Sequence, residues 1–343
     1  MNPYLHHSVR HACVILEDTL SRIGQGGGVW ALDPQTENAY RSLITQIAPA
    51  AGRQQQLNML MEEIWTMRMR LAVHYTRALP RLITSGSVFA VLPMARAALE
   101  ANALLNWHTA AGLSVQEHFL RILVDAHRTF EPVSRKAQGQ FPPTSDIHQQ
   151  ARRLLNASSA EIAAVGRLVK DEFGERRRKA SLKMPKEGRA ADCAVAQMAR
   201  WAIPEHRDPS FPPFMYGMLS DAVHSNALAL SELSSKSNRA TELSYTDFID
   251  IANIMVPVNT AVGVLAKAFA DAWDHWAYVD VPLVELNDYL IVAVDLIMKH
   301  GDKDIFVGID DQQERSRRSA SKGLTEQLIA QAAVHLSPHA HLL

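Results

Sequence analysis

Apolar residues recur at three- and four-residue spacing through most of the chain, and alternating strand-like runs are nearly absent. That period places the apolar side chains on one stripe of an α-helix, whereas a strand needs a period of two. The fold expected is therefore all-α: a multi-helix, bundle-like array, read as two helical halves.

Punctuation residues set the expected boundaries. A first helix over 4–23 stops at the glycine-rich stretch 24–28, because glycine favours turns over helix. Helices are expected over 35–47, over 53–79 with Pro80 as terminator, and over 88–111 with Pro93 tolerated near its start. Ser114 is placed to cap a helix running to 137. The sequence AQGQFPPTSD then reads as a loop, and Thr144 or Ser145 restarts helix. Ser158 with Glu161 has capping-box spacing and is expected to open a helix reaching 181. Further helices are expected over 190–202, 211–233, 244–276 with a bend at Pro257, 282–300 and 324–335, with DIFVGIDD as the one strand candidate. The halves are drawn as 1–140 and 141–310, followed by a linker and terminal helix over 311–343.

With 47% hydrophobic and 21% charged residues, the chain has the balance of a globular protein able to bury a large core. A net charge of -1 provides no global attraction to a polyanion, so a nucleic-acid contact would rest on a local patch such as Arg176, Arg177, Arg178, Lys179, Lys183 and Lys186. That patch contains no interleaved aromatics and reads first as a solvated helix end. Two cysteines, Cys13 and Cys193, are too few for a disulfide framework, and the N-terminus carries Glu17 and Asp18 where a signal peptide needs an apolar run. A cytoplasmic protein is expected. The apolar stretch 251–270 contains Asn253, Pro257 and Asn259 and is read as a core helix, with no membrane partner.

Two polar stripes stand out. Tyr216, Ser220 and His224 are four residues apart, which aligns a phenol, a hydroxyl and an imidazole on one helix face. They are the candidate catalytic residues, with His224 as base, or else a mutually satisfied polar layer. Arg96 and Glu100 are likewise four apart, flanked by Ala95, Ala97, Ala98 and Ala101. A buried arginine held by a glutamate can receive an anion, and an ion pair of helical spacing is the structural alternative.

The Arg-x-x-x-Glu helix MARAALEANALLNWH, taken with the Tyr-x-x-x-Ser-x-x-x-His helix YGMLSDAVH, resembles uncharacterised bacterial helical proteins related to the HEPN superfamily. The resemblance touches about a third of the chain. It implies a helical bundle, often dimeric, of a bacterial conflict or stress system, with a nucleotide or RNA as ligand. It also implies an Arg-x(4–6)-His ribonuclease motif, which RILVDAH, Arg121 to His127, matches in spacing. There the arginine would stabilise phosphate charge and the histidine would take the 2′-hydroxyl proton.

Other chemistries lack their patterns. The paired Glu-x-x-His of helical di-iron proteins does not occur, no phosphate-binding Gly-Lys-Ser follows the glycine-rich stretch, and Cys193 sits in an apolar run. No metal and no cofactor are expected. The functional expectation is thus a HEPN-related protein binding a nucleotide or RNA between the Arg96/Glu100 and Tyr216/Ser220/His224 helices. The alternatives are a non-catalytic helical scaffold and a small-molecule enzyme with a histidine base in a cavity near Trp107, Trp201, Trp273 and Trp276. The apolar helices around Trp273 and Leu290 suggest a homodimer.

Overall fold

The computed structural model describes residues 5–25, 34–185, 219, 250–273, 283–303 and 305. Among them the chain forms nine helices: α1 (His7–Gln25), α2 (Pro34–Ile47), α3 (Ala51–Ser85), α4 (Val88–Thr109), α5 (Val115–Gln140), α6 (Asp146–Phe173), α7 (Glu175–Leu182), α8 (Ile251–Trp273) and α9 (Leu283–His300). The all-α expectation holds.

Three boundaries differ from expectation, each for a local reason. Pro80 does not end α3. The helix continues to Ser85 and stops at Gly86, whose left-handed backbone (φ 83°) turns its amide back to the Ile83 and Leu82 carbonyls. The pair Ser158/Glu161 does not open a helix, because α6 runs unbroken from a cap at Ser145, whose side chain accepts from the His148 amide. Glu161 instead receives a two-pronged hydrogen bond from Arg53 on α3, at 2.6 Å to each carboxylate oxygen. The helix expected to reach 181 is divided at Gly174 (φ 88°) into α6 and α7. In the DIFVGIDD region the described backbone makes isolated ties, His6 N–H to the Ile305 carbonyl and Ile251 N–H to the Lys303 carbonyl, both near 3.0 Å.

Two apolar clusters fill the interior. One joins α1, the second half of α3, α4, α8 and α9, through residues such as Leu16, Leu79, Leu99, Val258, Leu265 and Tyr289. The other joins α2, the first half of α3, α5, α6 and α7, through Tyr40, Leu57, Phe119, Leu123, Val165 and Met184. Helix α8 is long and apolar enough to cross a membrane, but 72% of its most apolar stretch is buried within this molecule. An apolar helix of that kind is buried by its neighbours when it is a core element. Ala95, Ala98 and Ala101 of α4 are all buried in that core, and Asn102 donates to the α8 carbonyl of Ala261 at 2.8 Å. The 35 residues of α3 span both clusters, so polar side chains of α3, α4 and α5 gather where the clusters meet.

Candidate functional site

At that meeting point lies Asp125, fully buried on α5. Arg68 of α3 grips it with two hydrogen bonds, Nε to Oδ2 at 2.7 Å and a terminal nitrogen to Oδ1 at 2.5 Å. His108, in the last turn of α4, places its Nε2 at 2.9 Å from Oδ2 of the same carboxylate. Burial by itself would raise the Asp125 pKa. The hydrogen bonds from Arg68 and His108 outweigh it and hold the carboxyl well below its usual range.

That assignment settles the His108 tautomer. An ionised carboxylate only accepts, so Nε2 carries the proton. Burial, opposed by Asp125, keeps the imidazole neutral by lowering its pKa below 6.5. Nδ1 is therefore an unprotonated acceptor. It is buried and has no hydrogen-bond partner among the described residues. His108 lines a cavity of about 30 Å³ together with Thr36, Tyr40, Thr109, Leu113, Ser114, Val115 and His118. Its inner wall is polar and aromatic: the Tyr40 hydroxyl bonds Nδ1 of His118, and burial pushes the Tyr40 hydroxyl pKa well up. The His118 ring meets the edges of Trp65 and His108, with ring centres 5.7 and 6.1 Å away.

The mouth of the cavity is the loop between α4 and α5. Ser114 caps α5 through a full capping box: its Oγ accepts from the Glu117 amide at 3.2 Å, and Glu117 Oε2 accepts from the Ser114 amide at 2.9 Å. Glu117 is only 2% exposed, and its charge is met by Arg177 of α7 through two bonds of 2.7 and 2.5 Å.

The residues expected from sequence fall as follows. Arg96 and Glu100 do pair, at 3.1 Å, and both are half-buried on α4. Tyr216, Ser220 and His224 lie outside the described residues, as do Trp201 and Trp276. Arg121 and His127 are drawn to different partners. Arg121 donates to the Trp107 carbonyl and lies 5.1 Å over the Trp107 ring, where it answers the unpaired carbonyls at the end of α4. Burial lowers its pKa to about 10. His127 bonds Ser158 of α6 at 2.8 Å. Asp125, one turn from Arg121, goes to Arg68 and His108 instead. The basic run is partly absorbed as well: Arg177 and Arg178 are held by Glu117 and Glu175, while Arg176, Lys179 and Lys183 face solvent.

Sequence reasoning did not single out Arg68, His108, Asp125, His118 or Tyr40. The Asp125–His108 contact joins residues 17 apart on two helices, and Arg68–Asp125 joins residues 57 apart, so no short motif carries either. Among the described residues no group of three or more His, Cys, Asp or Glu side chains is placed to hold a metal ion. Comparison with protein-family models, with curated proteins and with solved structures finds no match for this chain.

Proposed function

We propose that this chain binds a small neutral molecule through a hydroxyl or amine group, with His108 as its hydrogen-bond acceptor and general base. The observation that carries the reading is the buried Nδ1 of His108, without a partner among the described residues, on a residue that lines a cavity. A buried acceptor left unmet costs about 1–3 kcal/mol, so a site of this kind favours a donor. The nearest charges, Arg68 and Asp125, satisfy each other, which favours a neutral ligand over an ion. A neutral imidazole oriented by a carboxylate is also the arrangement that removes a proton from a bound hydroxyl.

Size narrows the ligand further. A cavity of about 30 Å³ takes a water or the donor group of a larger molecule, whose remainder must lie at the half-buried mouth formed by Thr36, Leu113 and Val115. A cavity needs about 10–15 Å³ to hold one water, so this one takes a few at most. A nucleotide or RNA segment, the ligand implied by the HEPN resemblance, needs far more room and would have to be held elsewhere.

Nitrogen-15 NMR of histidine-labelled protein tests the reading. His108 is expected to carry its proton on Nε2 with Nδ1 bare at neutral pH. Titration with a panel of small alcohols and amines should then shift Nδ1 of His108 while leaving His127 unmoved. A proton on Nδ1, or a panel in which no alcohol or amine moves it, would favour the scaffold alternative instead.

A further inference from the structure

We infer that Arg177 is a positioning residue that latches the α4–α5 loop in place at the narrow mouth of the His108 cavity; the inference rests on the reading of that cavity as a binding site. Three observations meet at this side chain. Its guanidinium grips both carboxylate oxygens of Glu117 and also donates to the Gly112 carbonyl at 2.5 Å. Glu117 in turn holds the amide and hydroxyl of Ser114, at 2.9 and 3.0 Å. Leu113, Ser114 and Val115, the residues between these anchors, line the cavity mouth.

Arg177 thus ties the middle of the loop and the first turn of α5 to α7. It also lies 5.0 Å over the Phe173 ring, so the last turn of α6 sets its direction. Gly112 takes a left-handed backbone (φ 72°), which lets its carbonyl turn toward α7. Without the guanidinium, the Gly112 carbonyl loses this donor and Glu117 keeps a buried charge answered only by Ser114 and by Arg121 one turn on. The loop, five residues between two rigid helices, is then the element that opens. Because the cavity has room for only a few waters, a ligand that enters it whole, rather than resting at its mouth, needs that opening.

The test uses diethyl pyrocarbonate, which acylates bare imidazole nitrogens and is too large for a cavity of this volume. The full-length protein is treated at neutral pH, and acylation of His108 is followed by peptide mapping. Arg177→Ala is expected to speed acylation of His108 about tenfold, the shift in opening that follows loss of a charge-assisted anchor. Arg178→Ala, which breaks only the neighbouring surface pair with Glu175, should leave the rate unchanged. Millimolar guanidinium ion should return the Arg177→Ala rate toward the wild-type value, a rescue that general loss of stability would not show. Arg177→Lys, which keeps the charge and loses the fork, serves should the alanine variant fail to fold, and its rate should lie between the two. A rate for His108 unchanged in both Arg177 variants, raised equally in Arg178→Ala, or insensitive to guanidinium overturns the latch. The tautomer measurement is independent of it, so a failed latch and a failed cavity reading are told apart.

Discussion

At the scale of single residues, the chemistry turns on a carboxylate shared by two donors. Replacing Asp125 with Asn leaves Arg68 facing a neutral amide in a buried place, and breaking such a pair costs about 3–5 kcal/mol. The expected result is a lower urea midpoint with the native helix content kept. Acid should act through the same residues. Folding holds His108 neutral with a lowered pKa, so below pH 6.5 the unfolded chain takes up a proton that the folded chain refuses. Stability from this residue is therefore complete above pH 6.5 and falls as the pH drops, by up to about 1.4 kcal/mol per unit. Asp125 adds a second loss of the same sign below pH 3.8, where the unfolded carboxyl protonates while the folded one stays ionised. Urea midpoints of wild type and His108→Gln at pH 7.5, 6.5 and 5.5 check the upper window: the wild type should weaken on acidification and the variant should weaken less.

At the scale of elements, chemically similar residues separate by where the chain puts them. Ser114 and Ser158 both precede a glutamate by three residues, but only Ser114 stands at a helix start. Ser114→Ala should cost about 0.5–2 kcal/mol of stability, the range for losing a cap, whereas Ser158→Ala loses only its ties to His127 and the Leu155 carbonyl. Thermal melts of the two variants side by side would show the difference. Gly86 gives a third contrast, since its φ of 83° is a left-handed cap in which alanine should cost about 1–2 kcal/mol. These positions also show how far local signals reach. Gly86 and Ser145 act within a turn of themselves; the Ser145 start was legible, whereas the end of α3 was placed at Pro80 and Gly86 went unread. Pro80 and Ser158 carry equally strong local signals, yet packing on both sides of them carried the helix through.

At the scale of the whole molecule, two apolar clusters share α3 and receive residues from α4 on both sides, Leu99 and Leu105 in one and Leu104 and Trp107 in the other. Neither cluster can lose its helices without stripping the other, so the described core should unfold in one step. Calorimetry is expected to give equal calorimetric and van't Hoff enthalpies, and a ratio well above one would mean that the clusters melt apart. The sequence by itself determined the helical class and most helix starts and ends, because apolar period, capping side chains and glycine act between near neighbours. It also placed Arg96 and Glu100 in contact, since an i, i+4 pair meets on any helix. Only the tertiary structure decided the candidate site. Arg68, His108, Asp125 and Arg177 come from four helices, and their meeting depends on how α3, α4, α5 and α7 pack, a long-range arrangement for which no spacing along the chain is a signal.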